Sequence, residues 1–175
     1  MHELAAARIG ATFNQYAESP LRRERLRRYL EARAGAPILL VGEAAGYRGA
    51  RVSGLPFTSE RQLTGSGPAE ATATIVHRVL ANLGAGEDVL LWNVVPTHPG
   101  TETTNRPPTA AEIADARRFL DVLAGGRRVI ALGRVAARAT GAPYVRHPSH
   151  GGAGEFASGL ARELTRASPA VTVRP

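Results

Sequence analysis

The sequence predicts an α/β protein of three layers, in which a four-stranded parallel sheet lies between helices. Four short apolar runs indicate buried strands, and helix-like segments alternate with them, which is typical of a parallel sheet covered on both faces. The runs are Ile38-Leu39-Leu40-Val41, Val89-Leu90-Leu91-Trp92, Arg128-Val129-Ile130-Ala131-Leu132 and Tyr144-Val145-Arg146. With 175 residues and 43% hydrophobic composition, the chain fits one domain over residues 1–175, with N-terminal helices in 1–35 and a tail from about Ser168.

Local signals place several helix ends between these strands. Ser19-Pro20 is typical of an N-cap followed by the first helical position, and Thr109 with Glu112 forms a capping box. Residues 43–67 and 93–108 are rich in helix-breaking or polar residues and are expected to be long loops, which often carry function. The expected helices span residues 3–18, 20–33, 68–83, 109–124, 134–140 and 154–166.

The composition excludes several kinds of chemistry. The chain contains no cysteine, which excludes disulfides, thiolate nucleophiles and cysteine-held zinc or iron–sulfur clusters. All 22 basic residues are arginines, so neither a lysine Schiff base nor a P-loop lysine is possible. The absence of a long apolar run and of an N-terminal signal pattern predicts a cytoplasmic protein, hence intracellular, without a membrane span.

The charge of the chain is strongly positive. A formal net charge of +7 favours a polyanionic partner such as DNA, although an arginine-rich composition with a solvated surface would give the same value. On a helix, the densest basic run would spread around much of the circumference, so this run alone does not define a DNA groove. The run consists of Arg22, Arg23, Arg25, Arg27 and Arg28.

Three polar residues of different chemistry follow predicted strands one, two and four. They are Glu43, Asn93 and His147, and in parallel α/β sheets ligands bind at this carboxyl edge. Glu43 is a carboxylate that could orient water, or a turn residue that caps backbone amides. Asn93 could hydrogen-bond a base edge, or cap the following loop. His147 could donate to a developing oxyanion, or hold local structure.

Other residues near these motifs also have two interpretations. Phe57 lies in a polar loop, where it either offers a stacking face to a flipped base or anchors the loop. His147 and His150 have the spacing of metal ligands on a helix, but Pro148 disfavours a helix and no third ligand is evident, so no metal is expected. Arg106 either contacts phosphate or belongs to the helix entry. The histidines expected to be surface or loop residues without functional neighbours are His2, His77 and His98.

Five segments occur in an order that is more specific than any one of them. They are Gly42-Glu43-Ala44-Ala45-Gly46, Gly54-Leu55-Pro56-Phe57, Trp92-Asn93-Val94-Val95, Asn105-Arg106 followed by Pro108 and Glu112, and His147-Pro148-Ser149. Across roughly residues 37–160, they resemble the uracil-DNA glycosylase superfamily. The first resembles the Gly-Glu-Ala-Pro-Gly motif of its thermophile-type branch, with Ala45 in place of the proline. The four cysteines that hold the iron–sulfur cluster of that branch are absent.

The resemblance implies a role for each matching residue. Glu43 would orient water and His147 would stabilise the uracil oxygen O2, while Phe57 stacks on the base and Asn93 reads its edge. With that activity, the other uracil-binding residues would be Gly42 and Ala44, and the residues expected to bind DNA are Ser149, His150, Gly151, Gly152 and Arg106. No large apolar wedge follows Ser149, unlike the leucine of the best-known branch.

The implied activity is that of a monofunctional uracil-DNA glycosylase in base excision repair. It would act as a monomer on uracil-containing DNA, release uracil and need no cofactor. Two alternatives remain open from the residues: a hydrolase of free nucleosides or nucleotides that uses the same edge, and a catalytically silent DNA-binding module. Release of free uracil from an oligonucleotide distinguishes all three.

Overall fold

A parallel sheet of four strands forms the centre of the protein. The computed structural model describes residues 2–166, and the tail predicted from about Ser168 lies outside them. The strands lie in the order β2-β1-β3-β4, and every pairing is parallel. Their bounds are β1 Ile38–Ala44, β2 Val89–Val95, β3 Arg128–Leu132 and β4 Tyr144–Val145. The predicted four-stranded parallel sheet is confirmed.

Helices cover both faces of the sheet and complete a three-layer α/β/α fold. They are α1 His2–Ala6, α2 Gln15–Glu18, α3 Pro20–Ala32, α4 Ala50–Ser53, α5 Glu60–Thr64, α6 Ala71–Asn82, α7 Ala110–Ala124, α8 Arg134–Thr140 and α9 Ala153–Thr165. Helices α6 and α9 pack on one face through residues such as Val76 and Phe156. The N-terminal helices, α7 and α8 pack on the other face through residues such as Leu26 and Leu120.

Side chains of the two central strands alternate between these layers. Leu40 and Leu91 face α6 and α9, whereas Leu39 and Trp92 face the opposite layer. Gly42 and Asn93 are paired in the register of β1 and β2, and each lies two residues beyond a leucine of the α6 and α9 face. Strand alternation therefore places both on that face at the carboxyl edge of the sheet.

The single helix predicted over residues 3–18 is wrong. The chain forms α1 and α2 instead, and between them Gly10 adopts the left-handed backbone with φ of 47°. The Asn14 side chain holds the break: it accepts from the N–H groups of Tyr16 and Ala17 and donates to the carbonyl of Leu4 at 2.8 Å. This turn lets Tyr16 enter the core, where its hydroxyl donates to the Gly54 carbonyl.

Other boundaries also differ from the predictions. The expected loop 43–67 contains the short helices α4 and α5, and α6 begins at Ala71 rather than at Pro68. Strands β1 and β2 extend to Ala44 and Val95, so their paired backbone fixes Glu43 and Asn93, which were expected just beyond the strands.

The predicted helix caps are confirmed. The Ser19 hydroxyl accepts from the Arg22 N–H at the start of α3, and Thr109 and Glu112 form a reciprocal capping box on α7.

The basic run on α3 is engaged within the protein; for example, Arg25 forms a two-pronged ion pair with Glu60. Within residues 2–166, no helix combines the length and the apolar character that crossing a membrane requires.

Candidate active site

A cavity of about 510 Å³ opens at the carboxyl edge of the sheet. It lies where β1 has β2 on one side and β3 on the other, which is the switch point at which doubly wound sheets bind ligands. Eight of the predicted site residues line it: Glu43, Ala44, Phe57, Asn93, Arg106, His147, Ser149 and His150. Gly42 lies behind the Phe57 ring, and Gly151 and Gly152 do not line the cavity.

Phe57, Gly42 and Asn93 form one corner of this cavity. Gly42 has no side chain, and a methyl group in its place would overlap the Phe57 ring and lie 3.0 Å from Asn93 Oδ1. Asn93 is only 4% exposed, and within residues 2–166 no hydrogen bond engages its side-chain amide. A buried amide normally has a partner, so this one is available to a ligand that lies against Phe57.

Backbone strain is concentrated at the same cavity. Among the described residues, Phe57 and His150 are the two non-glycine residues with a left-handed backbone, with φ of 50° and 51°. This conformation costs about 1–3 kcal/mol for a residue with a bulky side chain. Such strain persists where the surrounding structure imposes it, and it clusters at functional sites. Both strained residues face the cavity.

Glu43 occupies the penultimate position of β1 and is half-buried. Burial raises the pKa of its carboxyl group, and within the described chain neither a cation nor a hydrogen bond offsets that effect. A carboxylate with a raised pKa is a stronger proton acceptor, which suits a group that activates water.

His147 lies in the loop after β4, where Ser149 fixes its ring. The Ser149 N–H donates to His147 Nδ1 at 3.2 Å, and the Ser149 hydroxyl lies 2.8 Å from the same nitrogen. A backbone N–H cannot accept, so Nδ1 is the acceptor and the neutral ring carries its proton on Nε2. Burial, followed by the charges of His150 and Arg146, lowers the pKa of His147 and favours this neutral form.

Arg106 lines the cavity but is held by a carboxylate of the protein. Its guanidinium donates to Glu112 at 2.6 and 2.8 Å, and Glu112 also accepts from the Thr109 N–H in the capping box. The two hydrogen bonds from Arg106 lower the pKa of the buried Glu112 to about 2. A buried carboxylate holds Arg106 at the start of α7, in line with the helix-entry interpretation of this residue.

Glu70 also lines the cavity, although no motif of the sequence indicated it. Its carboxyl group packs against Gly46 and Gly49, where any side chain would overlap it. Burial raises its pKa from 4.5 to about 7. A glutamate at the N-cap of α6 is an unusual choice, and this was the available signal for a residue with another role.

Replacement of Glu70 with glutamine should make stability less dependent on pH. The folded protein holds a proton on Glu70 up to about pH 7, whereas the unfolded chain loses it near pH 4.5. The wild type therefore loses stability as pH rises through this range, by up to about 3 kcal/mol, and Glu70→Gln does not. Urea unfolding of both proteins at about pH 5 and about pH 8 measures this difference. An equal loss in both proteins would mean that Glu70 titrates normally.

His98 was expected to be a surface or loop residue without functional neighbours; the structure places it in a loop but not at the surface. It lies in the loop after β2 but is fully buried, with Nδ1 2.7 Å from the Ala45 carbonyl and Nε2 2.8 Å from the Thr101 carbonyl. It thereby ties the turn that follows Glu43 to the next loop. Asn105 supports the same turn by accepting from the Tyr47 N–H at 2.9 Å. These contacts hold the turn after Glu43 in place, although it has Ala45 where the motif of the thermophile-type branch has proline.

Potential metal ligands do not cluster in the described part of the chain. No group of three or more histidine, aspartate or glutamate side chains there is arranged to hold a metal ion. The Nδ1 atoms of His147 and His150 both contact the Ser149 hydroxyl, at 2.8 and 3.0 Å.

Comparison with known families decides the relationship of this chain. The family model of the uracil DNA glycosylase superfamily matches residues 30–171. The chain belongs to this superfamily. The resemblance carried by the five segments is therefore confirmed, and membership supports a DNA glycosylase, a hydrolase of DNA repair whose partner is DNA.

Solved structures agree on the fold of this uracil-DNA glycosylase superfamily member. The crystal structure of wild-type SMUG2 from Pedobacter heparinus is similar, with a TM-score of 0.67 and 12% identity over 90% of this chain and 89% of that one. At this identity, the similarity shows the fold alone. A search of curated proteins finds no match.

Proposed function

We propose that the protein hydrolyses the N-glycosidic bond of uracil in DNA as a monofunctional glycosylase that acts as a monomer in base excision repair. One observation carries the proposal: the buried amide of Asn93, which no group of residues 2–166 engages, lies beside the Phe57 ring, in the same cavity as Glu43 and His147. A ring to stack on, an amide to read an edge, a carboxylate and a neutral imidazole are the groups that excision of a flipped pyrimidine needs.

In this proposal, the extruded uracil stacks on Phe57 and is read by Asn93. The amide can accept from uracil N3–H and donate to O4. Because Gly42 has no side chain, it leaves space for the Phe57 ring and the Asn93 amide, and Ala44 lines the cavity beside them. The loop of Ser149, His150, Gly151 and Gly152 contacts the DNA strand. The backbone N–H groups of His150 and Gly151 are the ones offered to phosphate, because those of Ser149 and Gly152 bond within the loop. Arg106 holds the start of α7 through Glu112, and the part of its guanidinium that stays exposed in the cavity contacts phosphate.

Glu43 and His147 act on opposite sides of the bond that breaks. As the bond between uracil N1 and the sugar C1′ lengthens, its electron pair leaves with the base, and His147 Nε2–H donates to the developing charge on O2. The Glu43 carboxylate stabilises the cationic sugar and takes a proton from the water whose oxygen bonds to C1′. The uracil anion then takes up a proton, Glu43 gives up the one it took from water, and the products are free uracil and an abasic site.

The test is release of uracil from an oligonucleotide that contains one uracil. Because the chain has no lysine, we expect an intact abasic strand that breaks only after alkali or heat. Quantitative borohydride trapping of a protein–DNA adduct would contradict the monofunctional mechanism. Release from free deoxyuridine or its monophosphate, but not from DNA, would identify a nucleoside or nucleotide hydrolase. DNA binding without release of any base would identify a silent binding module.

Replacement of Asn93 with aspartate should remove most uracil release. The substitution loses the donor to uracil O4 and sets a second acceptor against that oxygen, and an unmade buried pair costs about 1–3 kcal/mol, or about 5- to 150-fold in rate. Cytosine can donate from N4 to the new carboxylate, so its release should rise relative to that of uracil. Single-turnover assays on both bases measure the change.

Asn82→Asp is the matched control. Asn82 is exposed at the end of α6, so this substitution makes the same chemical change away from the cavity. It should leave both rates as in the wild type. If Asn93→Asp also keeps the wild-type rate and preference, Asn93 caps a loop and another group reads the base.

A further inference from the structure

A second concave surface adjoins the candidate active site. It is a groove of about 830 Å³ between the edge strand β4, the start of α8 and one face of α9, and is called here the β4–α9 groove. Arg134 lines both this groove and the active-site cavity, so the two are adjacent. The residues that characterise it are Arg134, Tyr144, Arg146, Ser158, Gly159 and Arg162.

The charge of the groove favours an anionic chain. It presents three arginines against one acidic residue, Glu155. Glu155 pairs with Arg146 at 3.1 Å, but both side chains are exposed, by 71% and 41%, and exposed pairs of this kind are weak. A phosphate can therefore replace the carboxylate on Arg146 at little cost. Arg134 and Arg162 are exposed as well.

The shape of the groove leaves room for a chain that carries flat rings. Among residues 2–166, Tyr144 is one of five large hydrophobic side chains left exposed, at 48%, and it lies at the start of β4 among these arginines. The facing wall is formed by small residues of α9, including Ser158 and Gly159. A side chain at position 159 would meet Val145 at 3.2 Å, so this glycine lets α9 approach the edge strand. An aromatic face between arginines is the usual platform for single-stranded nucleic acid.

The groove is close enough to the active site for both to hold neighbouring nucleotides. Tyr144 precedes His147 by three residues, which span at most about 11 Å. We propose that the β4–α9 groove holds the stretch of DNA strand next to the extruded nucleotide, with one base stacked on Tyr144 and with phosphates held by Arg134, Arg146 and Arg162. This inference rests on the proposed action on DNA and adds to it a path for one side of the strand.

Binding of uracil-free single strands tests the groove without any catalytic readout. The probes carry one tetrahydrofuran abasic analogue to set the register and are extended stepwise on its 5′ or its 3′ side. Extension on the side that crosses the groove should raise the affinity of the wild type. Tyr144→Ala should remove that gain, which means that its affinity for probes extended on that side falls by about 5-fold or more, whereas its affinity for probes extended on the other side stays as in the wild type. Arg162→Ala should also reduce the dependence of log Kd on log salt concentration by about 0.7.

Arg78→Ala is the control, because Arg78 is exposed on α6 and lines neither cavity. If Tyr144→Ala and Arg162→Ala bind strands of every length like the wild type, the groove assignment is wrong even if the enzyme releases uracil. If these variants weaken binding while the wild type releases no uracil, the groove assignment stands and the proposed reaction fails. Equal losses with 5′ and 3′ extensions would replace a directed path by non-specific attraction and overturn the proposal.

Discussion

Replacement of Glu43 with glutamine is expected to slow uracil release in single turnover by about 10²–10⁴-fold, the loss typical of a positioned acid–base group. Glutamine keeps the shape of the side chain but cannot take a proton from water and does not stabilise a cationic sugar. The fold should not suffer, since burial already disfavours the charged form of Glu43 and no cation or hydrogen bond within residues 2–166 offsets it. Thermal unfolding should therefore occur at the wild-type temperature or slightly above it.

Glu87→Gln provides the matched control. Glu87 is largely exposed, pairs with Arg33 and lies outside the cavity, so its loss should not change the rate. DNA affinity in Glu43→Gln should equal or exceed that of the wild type, because a negative charge near phosphate is removed. A near-normal rate in Glu43→Gln would show that the carboxylate only caps the turn, and the assignment of the water-activating group would fail.

The layers of the fold could be predicted because they depend on local patterns. Apolar runs such as Ile38–Val41 are buried on both faces, and the capping box at Thr109 is read from residues three apart. The break in residues 3–18 could not be predicted in the same way. It depends on Asn14 meeting the carbonyl of Leu4 and on Tyr16 reaching Gly54, 38 residues away, and neither contact leaves a periodic signal.

In the candidate site, too, some residues could be predicted from local patterns, whereas others depend on contacts between distant segments. The carboxyl-edge rule places Glu43, Asn93 and His147 together from sequence, because parallel strands end at one edge. Glu70 and His98 were missed because their significance depends on packing between loops: Glu70 fills the space beside two glycines, and His98 bridges two carbonyls. The left-handed backbone of Phe57 is likewise imposed by its surroundings, since phenylalanine itself disfavours it.

Replacement of His147 with alanine is expected to slow uracil release by about 10²–10³-fold, the loss typical of an oxyanion donor. Its Nε2–H is directed by the contacts that Ser149 makes to Nδ1. Ser149→Ala should therefore lose much less, because the backbone N–H that sets the tautomer remains. His2→Ala is the control for histidine loss, since His2 is exposed on α1, and it should keep the wild-type rate.

The leaving group reveals which side of the bond each residue serves. The anion of 5-fluorouracil is more stable than that of uracil, so its departure depends less on a donor at O2. The ratio of 5-fluorouracil to uracil release should therefore be higher in His147→Ala than in the wild type, because the better leaving group replaces part of what the imidazole supplied. In Glu43→Gln the ratio should stay near that of the wild type, since the carboxylate acts on water and the sugar. Single-turnover rates on matched oligonucleotides give both ratios. If His147→Ala keeps the wild-type ratio, the imidazole does not act on the departing base, and its contacts with Ser149 serve only to hold the loop.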